Sequence, residues 1–130
     1  MDINCLFCQL SEERIIGQCD LTITFLDSYP VSPGHTLIVP KRHVATYFDI
    51  TEQEQNAIAK AIQKSKLILD EEFSPDGFNI GMNNGEVAGQ SIMHLHVHMI
   101  PRYKNDVKNP KGGVRWVISN KADYWSNSDK

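Results

Sequence analysis

Residues 90–101 read Gln-Ser-Ile-Met-His-Leu-His-Val-His-Met-Ile-Pro, and this stretch decides how the rest of the chain is interpreted. Three of the five histidines lie here at every second position, at His94, His96 and His98. In an extended strand successive side chains point to opposite faces, so the three imidazoles are expected on one face and the apolar residues between them on the other. The pattern therefore predicts a strand with its back in the core.

The spacing of these imidazoles limits what they can bind. Neighbouring histidines on one strand face stand roughly 6.6 Å apart, and the outer two about 13 Å apart. A small group can bridge two of them, whereas one metal ion can hardly take all three. A lone strand histidine is usually a hydrogen-bonded structural residue, but three in register indicate a functional site.

Length and net charge limit the kinds of protein and of partner that this sequence is compatible with. The 130 residues suffice for a hydrophobic core, and a single domain over residues 1–130 is expected. The net charge of −3 gives no whole-chain attraction for nucleic acid or an anionic membrane, so neither is expected as a partner. No apolar run approaches membrane-spanning length and no signal-peptide pattern opens the sequence, which favours a cytoplasmic location.

Strand and helix patterns predict an α+β fold, an antiparallel meander sheet of about five strands with one long helix. The strand patterns cover residues 21–26, 35–40, 78–82, the histidine stretch and 114–118. The helix is predicted to begin after Thr51, which forms a capping box with Glu54, and to end before Ser74. Residues 1–20 form an N-terminal segment without clear periodicity. Residues 103–130 form a C-terminal segment whose tail, from Ser126, is expected to be disordered.

The three cysteines are Cys5, Cys8 and Cys19. An odd number without a signal peptide argues against a disulfide framework. Cys5 and Cys8 have the spacing of a zinc knuckle, although such pairs also serve redox chemistry or pack inertly. With His43 and one strand histidine they would complete a Cys₂His₂ zinc site, and His94 is favoured because it comes first in the strand. The alternative is a bare thiol pair with His43 facing solvent.

A second grouping suits nucleophilic attack. A neutral imidazole is a good nucleophile at pH 7, because its pKa lies near 6.5. His96 is the central candidate, and His98 and Gln90 are candidate donors to an oxyanion. Backbone N–H groups of residues 89–91 can also approach an anion. These parts suit attack on phosphorus, and no serine nucleophile elbow is present.

Residues 94–100 match the His-φ-His-φ-His-φ-φ signature, with φ apolar, of the histidine triad (HIT) superfamily, which the chain therefore resembles. The likeness extends to residues 83–91, to Asp27 and to residues 33–41. Pro101-Arg102 after the triad is more similar to the bacterial and fragile-histidine-triad branches than to the adenosine-phosphoramidase branch.

The resemblance implies a nucleotide hydrolase or transferase that cleaves at the α-phosphate of adenosine-type nucleotides through a nucleotidyl-histidine intermediate. His96 would be the nucleophile and His98 the phosphate ligand. Gln90 and Ser91, with Gly89 before them, would lie beside the phosphate and leaving group. Residues implied to bind elsewhere on the nucleotide are Asp27, at the ribose hydroxyls, and Asn83, near the phosphate loop.

The resemblance also implies a metal and an assembly. Many bacterial members hold zinc through a Cys-x-x-Cys pair, a histidine and the first triad histidine, a pattern that Cys5, Cys8, His43 and His94 fit. Because members without the cysteines stay folded and active, zinc is expected to be structural. The family usually forms two-fold dimers, so a homodimer is expected.

Two questions stay open at this point. Dinucleoside polyphosphates, aminoacyl-adenylates and adenosine phosphoramidates share one AMP half, so the leaving group is not determined. The segment 103–116 is the candidate region for contact with the leaving group. Cations in or next to it either bind extra phosphates or belong to a solvated loop; they are Arg102, Lys104, Lys108, Lys111 and Arg115. The rival functions are a purine-nucleotide-binding regulatory protein with incidental hydrolysis and a zinc-dependent hydrolase that uses the triad as its metal site.

Overall fold

The computed structural model describes residues 4–126 and contains one five-stranded antiparallel sheet in the order β1-β2-β3-β5-β4. The strands are β1 Ile15–Gln18, β2 Thr22–Leu26, β3 Thr36–Pro40, β4 Gly77–Gly81 and β5 Val97–Arg102. The predicted α+β class is confirmed. The sheet departs from a simple meander once, because the chain crosses from β3 through a helix to the edge strand β4 and then returns as β5 between them. Of the predicted disordered tail, residues 127–130 lie outside the described residues.

The long helix α1 spans Glu52–Phe73, as the capping pattern predicts. The Thr51 hydroxyl accepts a hydrogen bond from the Glu54 amide at 3.1 Å, and the Glu54 carboxylate accepts one from the Thr51 amide at 2.9 Å. Ser74 ends the helix in a left-handed conformation. A short helix, α2, follows at Ser119–Ala122. Within residues 4–126, no helix has both the length and the apolarity needed to cross a bilayer.

Glu54 ties the start of α1 to the segment after β3, and this gives a first testable expectation. Its carboxylate is 3% exposed and accepts two hydrogen bonds from the Arg42 guanidinium, at 2.7 and 3.2 Å, which lower its pKa. Glu54→Ala removes the side-chain half of the capping box and the ion pair to Arg42, whose side chain is half exposed, so the free energy of unfolding should fall by about 1–2 kcal/mol. Urea denaturation measures it. Glu71→Ala, on the exposed face of α1, is the matched control and should change stability by under about 0.5 kcal/mol; an equal effect of both would contradict this account.

Apolar side chains cover the two faces of the sheet differently. One face packs beneath α1 in a cluster that comprises Ile38, Val44, Ile50, Ile58, Leu95 and Val97. The opposite face carries Phe25, Leu37 and Val39, and it is covered by Cys5 and Phe7 of the N-terminal segment. The N-terminal segment and any ligand therefore share one face of the sheet.

The histidine stretch keeps its predicted alternation, but its regular strand is shorter than predicted. Leu95 and Val97 face the helix side, whereas His96 packs against Phe7 on the opposite side. Sheet pairing begins only at Val97, because the chain bends at residues 92–94 and the Leu95 amide bonds to the Val44 carbonyl at 2.7 Å. His94 consequently lies before the strand and not within it.

One predicted strand is absent from the sheet, and one strand of the sheet was not predicted, so the number of strands is still five. Residues 114–118, predicted as a strand, belong to a 3-10 segment, Gly113–Ile118. Gly112 and Gly113 adopt φ of 94° and 43°, which turns the chain tightly before the β-branched run can extend. The missing strand is replaced by β1, which was not predicted because a bulge between Ile15 and Gly17 breaks its alternation.

Candidate functional site

The side chains of Cys5, Cys8, His43 and His94 converge on one point, with their potential ligand atoms all within 4.8 Å of one another. The His94 Nδ1 atom lies 3.4 Å from Cys5 Sγ, 3.5 Å from Cys8 Sγ and 3.2 Å from His43 Nδ1. A tetrahedral zinc ion, with Zn–S near 2.3 Å and Zn–N near 2.0–2.1 Å, separates its ligand atoms by about 3.3–3.8 Å. Donor set and spacing thus fit zinc.

The ring of His94 is held in the orientation that a metal ligand needs. Its Nε2–H donates to the Pro40 carbonyl at 2.7 Å, which leaves the Nδ1 lone pair aimed at the cysteines. Burial lowers the pKa of His94 and favours the neutral, ligand-competent ring. Carbonyl contacts of this kind fix the tautomer of metal-binding histidines. The bend before β5 therefore serves to turn this histidine away from the other two.

His96 is oriented through its other nitrogen. Its Nδ1–H donates to the His94 carbonyl at 2.9 Å, so the proton of the neutral ring is on Nδ1 and Nε2 carries a lone pair. The ring is 8% exposed and packs edge-on against Phe7, with centroids 5.0 Å apart. A lone pair on a fixed imidazole beside a cavity is the arrangement of a nucleophile.

His98 has the opposite tautomer, which a third histidine imposes. The Val31 amide donates to His35 Nδ1 at 3.1 Å, so His35 carries its proton on Nε2. That Nε2–H lies 3.0 Å from His98 Nδ1, which must then accept, and His98 is left with an Nε2–H donor. His96 and His98, with ring centroids 5.1 Å apart, thus offer a lone pair and a donor side by side.

His98 also makes stability depend on pH. Burial, with His96 and His35 beside it, lowers the pKa of His98 from the ordinary 6.5 to about 4. Since the unfolded chain takes up this proton near pH 6.5 and the native state does not, the stabilisation is present above that pH and is lost progressively as pH falls toward 4. Between pH 7 and 4.5 the wild type should lose about 2–3 kcal/mol more stability than His98→Gln, measured by urea denaturation. Equal losses in the two proteins would refute the shift.

A cavity of about 640 Å³ opens over these two histidines on the face opposite α1. Among the predicted nucleotide-binding residues, its wall includes Asp27, Asn83, Ser91, His96 and His98. The Asp27 carboxylate accepts a hydrogen bond from the Tyr29 amide at 2.9 Å and lies 3.5 Å from His35 Nε2. Its remaining lone pairs can accept hydroxyl donors. The structure therefore gathers a carboxylate, an N–H donor and an imidazole lone pair around one cavity.

Gln90 is buried behind the cavity wall, and its side chain is engaged with the backbone. Gln90 is 4% exposed and its side chain joins three backbone segments. Its Oε1 accepts from the Gly85 amide at 2.9 Å, and its Nε2 donates to the carbonyls of Ala45 and Ile92 at 2.6 and 3.1 Å. Both amide protons of Gln90 are thus directed at backbone carbonyls in this conformation, and its role as an oxyanion donor stays a prediction. The side chain fixes the loop that ends at Ser91.

Both arginines among the cations in or next to segment 103–116, Arg102 and Arg115, are engaged in hydrogen bonds within the chain. Arg102 forms two 2.8 Å hydrogen bonds to Asp106 and one of 2.7 Å to Asn79. The Arg115 guanidinium donates to the carbonyls of residues 121 and 122, at 2.9 Å each. These contacts favour the interpretation that the charges order a surface segment, at least for the two arginines.

Sequence reasoning missed His35 and Phe7 as parts of the site. His35 follows Pro33-Gly34 and reads as the start of an apolar strand, so its role becomes visible only through the pairing of Leu37 with His98 in β3 and β5. Phe7 reads as a spacer between two cysteines. The signal available in advance was its bulk in a turn whose other features are two candidate metal ligands.

Comparison with known protein families matches residues 9–105 to the HIT domain. The chain belongs to the HIT family. Among solved structures, a Zn-bound histidine triad family protein from Mycobacterium smegmatis superimposes with a TM-score of 0.72 and 28% identity, over 82% of this HIT chain and 80% of that one.

Two curated HIT relatives carry names that describe an activity. Bis(5'-adenosyl)-triphosphatase from Dictyostelium discoideum is 33% identical over 100 residues, covering 77% of this chain and 67% of that protein. AP-4-A phosphorylase from Mycobacterium tuberculosis is 38% identical over 101 residues, covering 75% of this chain but 52% of that protein. This HIT chain therefore spans about half the length of the second relative.

Proposed function

We propose that the protein hydrolyses or transfers nucleotides by cleaving at the α-phosphate of adenosine-type substrates through a nucleotidyl-His96 intermediate. The observation that carries the proposal is the pair of opposite tautomers at the cavity, a free lone pair on His96 Nε2 and a donor on His98 Nε2. The names of two relatives, a bis(5'-adenosyl)-triphosphatase and an AP-4-A phosphorylase, support the nucleotide class.

The proposed reaction has two steps. His96 Nε2 attacks the α-phosphorus, and a P–N bond forms as the bond from phosphorus to the leaving group breaks. The leaving group departs with that electron pair and takes up a proton from solvent. The Nδ1–H bond to the His94 carbonyl stabilises the positive charge that develops on the ring. Water or another acceptor then attacks the same phosphorus, which releases the nucleotide and restores neutral His96.

Other residues of the cavity position the substrate in this scheme. His98 donates from Nε2 to a non-bridging phosphate oxygen, a charge-assisted hydrogen bond that strengthens as charge accumulates. Asp27 accepts from the ribose hydroxyls. Ser91, whose amide and hydroxyl have no hydrogen-bond partner within residues 4–126, lies beside the phosphate and leaving group with Asn83.

We propose a structural role for zinc at Cys5, Cys8, His43 and His94. Bound there, zinc supplies a closed tetrahedral link that pins the N-terminal segment to the sheet. The rival arrangement, a catalytic metal on the triad, is not supported, because the three histidines do not converge. Within residues 4–126, a second group of potential metal ligands comprises Asp27, His35 and His98. Contacts among the three side chains, from His35 Nε2 to His98 Nδ1 and to the Asp27 carboxylate, explain their proximity without a metal.

We also propose a two-fold homodimer, which the family resemblance implies. β4 forms one edge of the sheet, and Ile80 on it is 42% exposed. A dimer should appear in light scattering as twice the monomer mass.

A substrate panel tests the proposed activity. The zinc-loaded protein is incubated with an adenosine phosphoramidate, a diadenosine polyphosphate and, as the control, p-nitrophenyl phosphate, which lacks a nucleoside. Turnover of at least one nucleotide, together with an acid-labile adenylyl-protein adduct, is the expected result. Turnover far below about one per minute on both nucleotides, with tight AMP binding, would favour the regulatory binding protein instead.

A further inference from the structure

Phe7 sits between the two cysteines of the metal cluster. The 3-10 turn Leu6–Cys8 begins after Cys5 and ends with Cys8, and the Cys8 amide donates to the Cys5 carbonyl at 3.2 Å. Each end of the turn is thus a candidate zinc ligand. The Phe7 ring is carried in the middle and points to the sheet, where it is 9% exposed.

The same ring touches the candidate nucleophile. Its centroid lies 5.0 Å from that of His96, edge to face, and 5.5 Å from that of Phe25. Phe7 also forms part of the wall of the 640 Å³ cavity, so it lies against both the nucleophile and the space proposed for nucleotide. Removing Phe7 would leave one side of the His96 ring without a packing partner.

His94 provides a second connection between cluster and nucleophile. Its Nδ1 atom belongs to the metal cluster, and its carbonyl accepts the Nδ1–H of His96. His96 is therefore held from two sides by groups whose positions depend on the cluster.

The backbone gives the N-terminal turn little independent support. The backbone hydrogen bonds that residues 5–10 make within the described chain, Cys8 to Cys5 and Gln9 to Leu6, stay inside this short segment. What joins the segment to the sheet is apolar packing and the contacts of the two cysteine sulfurs with His43 and His94. A ligand that locks those sulfurs in place therefore also locks Phe7.

We propose that Phe7 is a positioning residue for His96 and that, through it, zinc binding at the cysteine–histidine cluster and nucleotide binding in the cavity are thermodynamically linked. The inference rests on the proposed function, because it needs a nucleotide in that cavity. Linkage is reciprocal, so zinc must tighten nucleotide binding by the same factor by which nucleotide tightens zinc binding. A factor of about 10 is expected, within the usual range of such coupling.

The test measures binding of AMP and of zinc by calorimetry, in zinc-loaded and metal-free protein. Wild type should bind AMP about 10-fold more tightly when zinc-loaded. In Phe7→Ala the zinc-loaded protein should still form, but this ratio should fall to at most about 3, because only the connection through the His94 carbonyl remains. Phe7→Leu, which keeps an apolar side chain, should recover part of the loss. The matched control is Phe48→Ala, an aromatic that is 81% exposed in another 3-10 turn, which should keep the wild-type ratio.

A second measurement covers the case in which metal-free protein does not stay folded. Zinc release from the loaded protein to a chromogenic chelator is timed with and without saturating AMP. AMP should slow release in wild type and in Phe48→Ala, and should slow it much less in Phe7→Ala. AMP binding without any effect on zinc release, or an unchanged effect in Phe7→Ala, would overturn the linkage and leave the proposed function standing. Failure of the zinc-loaded protein to bind AMP at all would instead overturn the proposed function, and the linkage with it.

Discussion

His96→Ala is expected to lower turnover of an adenosine phosphoramidate by at least about 10³-fold and to abolish the adenylyl-protein adduct. In the proposed mechanism this side chain supplies the lone pair that attacks phosphorus, and the structure places no other unprotonated imidazole nitrogen of the triad at the cavity. Turnover follows from release of the amine. The adduct is followed by retention of radiolabelled AMP on the denatured protein at neutral pH and its release in acid.

His98→Asn separates loss of the nucleophile from loss of a donor. Asparagine retains an N–H, so turnover should fall by only about 10²-fold and the adduct should still form with His96 in place. Thermal unfolding checks that both variants keep their fold. Full activity of His96→Ala would contradict the proposed mechanism. An adduct in that variant would show that another residue is the nucleophile.

Removal of zinc is expected to have its largest effect on stability. A structural zinc site contributes folding free energy directly, so chelation or Cys8→Ser should lower the melting temperature by about 10 °C or more. Below that melting temperature, turnover at saturating substrate should persist, since zinc takes no part in the proposed chemistry. Calorimetric melting and initial rates at 20 °C measure the two effects.

Cys19→Ser is the matched control for the cysteine substitution. Cys19 is exposed and lies outside the cluster, so its replacement should leave the melting temperature within about 2 °C. Immediate loss of turnover on chelation, in protein that is still folded and saturated with substrate, would show that the metal takes part in the chemistry. An unchanged melting temperature would exclude the structural site.

The sequence predicts those features whose causes are local. The capping box of Thr51 and Glu54 sets the start of α1, and the period-two alternation of residues 94–100 sets which side chains face the cavity. The spacing of Cys5 and Cys8 indicates a candidate metal site. Each of these signals lies within a few residues, so no tertiary information is needed to recognise it.

What the sequence does not predict depends on contacts between distant residues. The donor tautomer of His98 is imposed by His35, 63 positions earlier in the chain. Gln90 looks like a phosphate ligand because its amide has two protons, yet the carbonyl of Ala45 takes one of them. The run 114–118 has strand composition, but the two preceding glycines turn it into a 3-10 segment. In each case tertiary structure selects among options that local chemistry leaves open.

The metal cluster also constrains the order in which the molecule is assembled. Its sulfurs reach His94 across 89 and 86 positions of sequence and His43 across 35. Closing loops of that length has an entropic cost that is recovered only after β3 and β5 have paired. We therefore expect the N-terminal turn to dock after the sheet has formed, which makes completion of the cluster a late event in folding and, on the ribosome, one that awaits the emergence of His94.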